Sequence, residues 1–345
     1  MSSISSFRCN SPWFRVNCVA ASHRSAGRTY QDVIGDKSIP VTVDKDIAGL
    51  TVLDAQKNID NICSDSSFLF SALSLEKEKV RKLEEKFAAA GLPVVSSNSA
   101  HRWTEDVPMI LPEVNPEHTD IISIQQNNRS WSKGFIAVKP NCSIQSYVPV
   151  LEAFKCFQPE KVIVSTYQAV SGAGRTLHNW PEMQDNIIPL IRGEEEKSEK
   201  EPLKVWGQVS EKSIIPADYP LISSTCVRVP VSDGHLTTVH VSFKKKPRKQ
   251  DLIEALNNFD NPLDAFALPS APKPFIRYCE EEDRPQTKLD RSAGSGMAVT
   301  VGRLRRDTIL DWKFVSLSHN TLRGAAGGAL LLAELLTQKG FIKVD

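Results

Sequence analysis

The sequence lacks any apolar run long enough to cross a membrane. Its longest apolar run, at residues 327–336, contains Glu334 and is far shorter than the roughly 20 residues that a membrane-spanning helix needs. The sequence also lacks an excess of one charge, because 42 Lys and Arg residues nearly balance 41 Asp and Glu residues and leave a formal net charge of +1. Such a chain has no global electrostatic attraction to nucleic acid or to an anionic membrane. We therefore expect neither as a partner.

Closely spaced cysteine pairs are also missing. The seven cysteines are scattered over positions 9, 18, 63, 142, 156, 226 and 279, and no two have CxxC spacing. This argues against a structural metal site and against a disulfide framework. Residues 1–10 lack the apolar core of a secretion signal. We expect a cytoplasmic protein with reduced thiols and no bound metal.

The first part of the chain alternates apolar runs with an amphipathic segment. Hydrophobic residues make up 41% of the sequence and charged residues 24%, as in ordinary globular proteins, and 345 residues favour two domains. Strands are predicted over 14–21, 67–73 and 92–98, with a helix over 76–90 before the last of them. Two shorter apolar runs cover 39–43 and 50–53. This order favours a parallel, doubly wound α/β sheet.

The loop after the first predicted strand is rich in Ser and Arg. It contains Ser22, Arg24, Ser25 and Arg28 among small residues. Parallel sheets hold cofactors at the carboxyl ends of their strands, where such residues suit a phosphate. The same composition is equally compatible with a solvated loop.

The second part of the chain predicts longer strands rich in Val and Thr. They cover residues 161–170, 223–230, 236–243 and 297–304. Such strands favour a mostly antiparallel sheet with helices, that is, an α+β domain. A Glu- and Lys-rich run at 193–202 is typical of a solvated face. A final helix is predicted from Asn320 to about residue 336, and its small residues allow close approach of a neighbour or a ligand.

Cys142 lies between an apolar run at 134–138 and a predicted helix at 144–157. At such a junction backbone N–H groups converge, which lowers a thiol pKa and can hold an oxyanion. The alternative is a small buried cysteine with no chemistry. His235, at the end of a strand and turn, is the best candidate for a proton partner, and Arg228 can offer a bidentate fork to a carboxylate.

Five motifs in order resemble one enzyme family over nearly the whole chain. They are Asn141-Cys142-Ser143 and the segments 166–174, 193–197, 228–235 and 317–328. Together they are similar to aspartate-β-semialdehyde dehydrogenases of the branch shared by fungi and archaea. The resemblance implies NADPH-dependent reduction of L-4-aspartyl phosphate to L-aspartate 4-semialdehyde, with release of phosphate.

The resemblance also implies a role for each site residue. Cys142 is then the nucleophile that forms a thioester, His235 the general acid and base, and Gln168 a residue that orients the substrate. The implied substrate-binding residues are Asn141, Arg228 for the α-carboxylate, Glu194 for the amino group, and Lys197 and Arg102 for phosphate. The register among Glu194, Glu195 and Glu196 stays open.

For the cofactor, NADP, the implied contacts are Ser22, Arg24, Ser25 and Arg28 near the 2′-phosphate and Ser171, Gly172 and Asn320 elsewhere. Members of the family carry a strand and a glycine-rich turn ahead of the strand at 14–21, and residues 1–10 contain no glycine. The expected fold is therefore an N-terminally incomplete Rossmann-like domain plus the α+β catalytic and dimerisation domain. An interrupted sheet and weakened cofactor binding are expected from this difference.

The expected domains are residues 1–138 with 318–345 for NADP, and 139–317 for catalysis and dimerisation. The resemblance implies a homodimer or homotetramer in the biosynthesis of aspartate-family amino acids such as threonine and methionine. Two alternatives stay open. One is a related acyl-phosphate or acyl-CoA reductase with a different acyl group, and the other is a non-catalytic paralogue that acts as a partner subunit.

Overall fold

The computed structural model describes residues 11–35 and 43–343, so most of the apolar run predicted at 39–43 lies outside the described residues. The strands are β1 Val19–Ala21, β2 Val52–Asp54, β3 Leu69–Ser71, β4 Val94–Ser96, β5 Ile136–Val138, β6 Pro159–Gln168, β7 Gln208–Val209, β8 Ile214–Ile215, β9 Leu221–Arg228, β10 His235–Phe243, β11 Ile276–Tyr278, β12 Val299–Arg306 and β13 Trp312–Ser318. The helices are α1 Tyr30–Gly35, α2 Lys45–Ala48, α3 Ile59–Ser64, α4 Lys77–Ala89, α5 Ile121–Arg129, α6 Val148–Ala153, α7 Glu194–Val205, α8 Lys249–Asn257, α9 Thr287–Asp290 and α10 Gly327–Gln338.

The first part of the chain forms two small parallel sheets. β1 pairs with β2, and β4 lies between β3 and β5. On α4 the apolar side chains recur at helical spacing, so Leu83 and Phe87 pack into a core that includes Val94. The parallel α/β architecture predicted from the sequence is therefore confirmed. The predicted strand at 14–21 is wrong over its first half, because Phe14 packs edge-on against Phe68 and only the last three residues pair as a strand.

A cavity of about 2000 Å³ adjoins both parallel sheets. Its lining includes Val19 of β1 and Leu69 of β3, together with Leu83 of α4. Within residues 11–35 and 43–343, no strand pairs with both sheets. The two parallel sheets are therefore separate in the described part of the chain.

The second part of the chain forms a six-stranded sheet in the order β11-β12-β13-β10-β6-β9. Three of its pairings are antiparallel, while β6–β9 and β11–β12 are parallel. Alternate Val residues of β6 and β10, such as Val164 and Val239, point into a core that includes Phe154 and Phe314. The expectation of a mostly antiparallel α+β unit is confirmed.

Three helical segments differ from their sequence predictions. The predicted helix at 144–157 is broken into the short α6 with a tight turn on either side, and Pro149 lies in the first turn of α6, where its missing N–H is tolerated. The charged run at 193–202 is a helix, α7, and not simply a solvated segment. The predicted final helix begins with a wide turn, Leu322–Ala326, and continues as α10, whose Leu331 and Leu335 join the core around Val95.

Candidate active site

The Cys142 thiol and the His235 imidazole face each other. Cys142 follows β5 by four residues, and His235 is the first residue of β10. The Cys142 Sγ atom lies 3.5 Å from His235 Nε2. His235 is fully buried, whereas the residue Cys142 is half-buried.

The hydrogen bonding of His235 assigns its tautomer. The Ala169 backbone N–H donates to His235 Nδ1 over 3.2 Å, so in the neutral ring the proton is on Nε2, toward the sulfur. Burial, reinforced by the nearby Arg228 cation and by His319, lowers the pKa of His235 to about 3. At neutral pH the ring is therefore an uncharged donor aimed at Cys142.

The environment of Cys142 corrects one expectation. The strand-to-helix position suggested a lowered thiol pKa, but burial and the Glu194 carboxylate raise it. The positive charges of Lys139, Arg102 and Arg228 oppose this rise without overcoming it. In the described protein the ground state is thus a thiol, and thiolate formation depends on what enters the site.

Arg228 and Gln168 lie side by side at the ends of two parallel strands. The register of β6 and β9 pairs Gln168 with Arg228. Gln168 Nε2 donates to Thr166 Oγ1, and Arg228 Nη1 donates to the Ala169 carbonyl over 2.8 Å. Burial lowers the pKa of Arg228, and among the described residues no carboxylate pairs with its guanidinium. A buried cation without a counterion is suited to an anionic ligand.

The start of α7 directs one of its three glutamates to the site. The Glu194 Oε1 atom accepts hydrogen bonds from Asn141 Nδ2 over 3.2 Å and from Lys197 Nζ over 2.6 Å. Glu195 instead accepts from the backbone N–H of Cys226 in β9, and Glu196 is exposed. Of the three registers left open by the sequence, only Glu194 is next to the Asn141-Cys142 loop.

Arg102 is largely engaged by the protein itself. Its guanidinium bonds Glu201 Oε1 over 2.9 Å and two backbone carbonyls, those of Lys139 and Ser97. Glu201 also accepts from the backbone N–H of Asn141 over 2.7 Å, so this buried ion pair supports the loop that carries Cys142. Sequence reasoning missed Glu201. The sequence feature that could have revealed Glu201 is its spacing from Glu194, which places both residues on the buried face of α7.

Asn320 connects two loops beside the imidazole. Its side chain accepts from the Gly234 N–H and donates to Ser171 Oγ, each over 2.8 Å. Gly172 lies so close to the site that a Cβ there would be 2.9 Å from Arg228 Nη1 and about 3 Å from the His235 ring. Three of the predicted cofactor residues therefore adjoin the Cys142–His235 pair.

The other four predicted cofactor residues lie apart from this pair. Ser22, Arg24, Ser25 and Arg28 occupy the loop between β1 and α1, where Ser22, Arg24 and Arg28 are exposed and Ser25 is half-buried. No hydrogen bond or ion pair of Ser22, Arg24 or Ser25 with the Cys142 cluster occurs among the described residues. The structure thus gives two separate groups of candidate residues.

These residues together suit chemistry on a small zwitterion. The cluster has a thiol, an imidazole N–H, a buried guanidinium and a carboxylate around Cys142, which is the set needed for acyl transfer to sulfur with recognition of an amino acid. In the part of the chain that the structure describes, no group of His, Cys, Asp and Glu could hold a metal ion, and its six cysteines form no disulfide. No helix there is long and apolar enough to span a membrane.

Comparison with known proteins agrees with this geometry. The chain matches the family models of the semialdehyde dehydrogenase NAD binding domain over residues 5–122 and of the semialdehyde dehydrogenase dimerisation domain over residues 149–323. It is 41% identical to an aspartate-semialdehyde dehydrogenase of Archaeoglobus fulgidus and 36% identical to one of Saccharomyces cerevisiae, in each case over 96% of this chain and 93% of the relative.

A solved structure is similar throughout. The crystal structure of aspartate semialdehyde dehydrogenase with NADP from Candida albicans has a TM-score of 0.88 at 33% identity and covers 99% of this chain and 96% of that one. The resemblance identified from the five sequence motifs, and the fold class that it implied, are confirmed.

Proposed function

Because this chain belongs to the aspartate-semialdehyde dehydrogenase family, we propose that it reduces L-4-aspartyl phosphate to L-aspartate 4-semialdehyde through a thioester on Cys142. The observation that carries the proposal is the 3.5 Å approach of Cys142 Sγ to His235 Nε2, beside a buried arginine that has no carboxylate partner among the described residues. The family establishes the reaction class, and the roles below are our assignment to the residues of this chain.

In the first half-reaction the Cys142 thiolate attacks the acyl carbon. A C–S bond forms, the C–O bond to phosphate breaks, and phosphate leaves with the bonding electron pair. The Cys142 thiol proton is lost before attack and ends on the departing phosphate, while the Nε2–H of His235 donates toward the sulfur and stabilises the thiolate. In this proposal His235 is a hydrogen-bond donor and not the base, because its Nδ1 atom accepts from the Ala169 N–H and its pKa is about 3. NADPH, when bound, supplies the hydride that reduces the thioester. In the second half-reaction the C–S bond breaks, and the same His235 N–H holds the departing thiolate.

The substrate's charged groups have complementary partners. Arg228 binds the α-carboxylate, Glu194 binds the ammonium group, and Gln168 orients the acyl group between them. Lys197 offers a cation to the phosphate, and binding it would require Lys197 to release its contact with Glu194. Arg102 uses three of its five N–H groups within the protein, which leaves two for a phosphate oxygen.

The described residues also suit NADP in two places. The exposed Arg24 and Arg28 follow β1 at its carboxyl end, where a cationic loop suits the 2′-phosphate. At the other end, Gly172 leaves space that a Cβ would fill against Arg228 and His235, so a flat ring can approach the site. Ser171 and Asn320 fix the backbone around this space.

A homodimer is the assembly that the second sheet favours. Ile163 and Leu221 are half-exposed on neighbouring strands at its β9 edge, and Tyr167 lies on the same face of β6. Exposed apolar side chains on one sheet face at an edge suit isologous pairing. We expect twice the chain mass of 38.3 kDa by light scattering and a monomer after Ile163→Asp. A monomeric unmodified protein would contradict the proposal.

The reaction belongs to amino-acid biosynthesis, and we propose that it feeds threonine and methionine formation in the cytoplasm. Complementation of a threonine- and methionine-requiring strain that lacks this activity tests the pathway. A fluorescent fusion that collects in an organelle would contradict the location.

The activity is tested in the reverse direction. Pure protein is mixed with L-aspartate 4-semialdehyde, NADP and phosphate, and NADPH formation is followed by absorbance. We expect phosphate-dependent turnover, and we expect Cys142→Ala to reduce it by a factor of at least about 10³. The control variant Cys156→Ser, which changes an exposed thiol, should retain the activity. Turnover of a semialdehyde without the amino group, but not of this one, would indicate a different acyl group. No turnover of either would favour a partner-subunit role.

A further inference from the structure

The residue that begins the Cys142 loop is a buried lysine with no carboxylate partner in the described chain. Lys139 follows β5 directly, and its backbone N–H donates to the Ser96 carbonyl over 3.0 Å. Its side chain is 3% exposed. The Nζ atom donates to the Pro140 carbonyl over 2.9 Å and to the Gly324 carbonyl. A lysine placed this deep costs folding free energy unless its hydrogen bonds or its charge interactions compensate.

Gly324, the residue that Lys139 holds, touches Cys142. A Cβ at Gly324 would lie 2.6 Å from Cys142 Cβ and 3.1 Å from its Cα, closer than any real side chain approaches. The Lys139 stem also lies under Gly328, where a Cβ would be 3.6 Å from Lys139 Cε. The first turns of the final helix therefore rest on Lys139 on one side and on Cys142 on the other.

We propose that Lys139 is a positioning residue, which fastens the final helix to the Cys142 loop, keeps the thiol facing His235, and gives the thiolate a buried positive charge. The proposal rests on Cys142 being the nucleophile, as proposed above. Lys139 acts through Gly324 and through its charge, because its two hydrogen bonds go to backbone carbonyls and not to the reacting groups.

The charges around Lys139 support this role. Arg102, Arg323, Glu201 and Cys142 face it from the surrounding elements. Burial, followed by Arg102, lowers the pKa of Lys139 to about 7, while the Cys142 thiolate raises it. By reciprocity, Lys139 lowers the pKa of the Cys142 thiol. The ammonium therefore favours the thiolate most below pH 7, and this aid is lost as the pH rises through about 7.

The test compares Lys139→Met with Lys139→Arg. Iodoacetamide alkylation of Cys142 is followed against pH by peptide mass spectrometry, and kcat and KM are measured in parallel. In Lys139→Met we expect alkylation below pH 7, where Lys139 is charged, to slow by about tenfold, with little change above pH 8. We expect kcat to fall at least tenfold with KM nearly unchanged. Lys139→Arg, which keeps the charge, should restore most of the alkylation profile.

Lys204 provides a matched control. It is also buried, its Nζ donates to the carbonyls of Arg102, Thr104 and Val107, and burial lowers its pKa to about 8. Lys204→Met should lower Tm but leave the alkylation rate of Cys142 below pH 7 unchanged. Gly324→Ala tests the contact independently and should lower kcat with Lys139 intact.

The proposal would be overturned if the alkylation rate below pH 7 and kcat stay at the unmodified values in Lys139→Met, or if both change equally in Lys204→Met. Failure of the dehydrogenase function itself would look different. The unmodified protein would then lack turnover. Slower alkylation of Cys142 in Lys139→Met than in Lys204→Met would still support the role of Lys139, and equal rates would still contradict it.

Discussion

The two ends of the candidate site are held in different ways. Around Cys142, side chains from β5, β6, α7, β9 and β10 are buried and linked by hydrogen bonds and by the Arg102–Glu201 ion pair. Around the loop after β1, the candidate cofactor residues are mostly exposed, and a cavity of about 2000 Å³ adjoins the strand that precedes them. Groups that must react within a few tenths of an ångström need rigid support, whereas a phosphate-binding loop can order on its ligand.

Of the changes considered, removal of Glu201 is expected to destabilise the Cys142 end of the site the most. Glu201→Ala leaves the buried Arg102 without a counterion and the Asn141 N–H without an acceptor. We expect a loss of about 3–5 kcal/mol in the free energy of unfolding, measured by urea denaturation. Glu196→Gln, in an exposed pair with Lys200 on the same helix, should leave the free energy of unfolding nearly unchanged. Equal losses would contradict the assigned role of the buried pair.

Arg228 should have the next largest effect. Arg228→Met removes the cation that we assign to the α-carboxylate, and we expect kcat/KM for the semialdehyde to fall by about 100-fold, as for a lost charge-assisted hydrogen-bonded pair. Steady-state kinetics checks this. The Arg305→Met change at an exposed position of β12, where no substrate contact is assigned, serves as the comparison. An unchanged KM in Arg228→Met would exclude substrate binding by Arg228.

Acid should destabilise the protein through His235. The His235 ring has a pKa of about 3 in the folded protein, whereas its ordinary pKa of 6.5 applies to the unfolded chain. Between these two pH values the unfolded chain therefore binds more protons than the folded protein does. Stability is therefore retained above pH 6.5 and lost as the pH falls toward 3, with a slope of up to about 1.4 kcal/mol per pH unit. Urea denaturation at pH 7, 6 and 5 measures the slope, which should be shallower in His235→Gln. An identical slope in that variant would contradict the buried, neutral ring.

The smallest effect should come from the exposed loop. Arg24→Ala removes one solvent-exposed cation near the proposed 2′-phosphate, and we expect a several-fold rise in KM for NADP with no change for NAD, since exposed ion pairs contribute about 1 kcal/mol or less. A parallel rise with both nucleotides would place Arg24 elsewhere than at the 2′-phosphate.

The sequence predicted which residues form the catalytic pair better than it predicted the environment of that pair. Cys142 and His235 were selected from motifs 93 positions apart, and the strand ends bring them together. The predicted direction of the thiol pKa was wrong, because the sequence shows the junction but neither the desolvation of the thiol nor the nearby Glu194 carboxylate. Glu201 and Lys139 were missed for a related reason. A charged side chain in a polar run, or beside a strand end, is recognisable as buried only when its partners are known.

The cofactor end was predicted mainly by resemblance. The parallel strands followed from their apolar runs, but they are shorter than the runs themselves, since aromatic contacts such as Phe14–Phe68 replace pairing. That Asn320 binds Ser171 and the Gly234 N–H could not be read from spacing, because the three lie in separate loops.

The most direct test of the central claim is mass spectrometry of the protein mixed with L-aspartate 4-semialdehyde and NADP in the absence of phosphate. Oxidation should then stop at the thioester, because no phosphate is present to accept the acyl group. The account predicts an aspartyl adduct on the Cys142 peptide that disappears when phosphate is added and is absent from Cys142→Ala. An adduct on another cysteine, or NADPH formation with no adduct in the absence of phosphate, would contradict it.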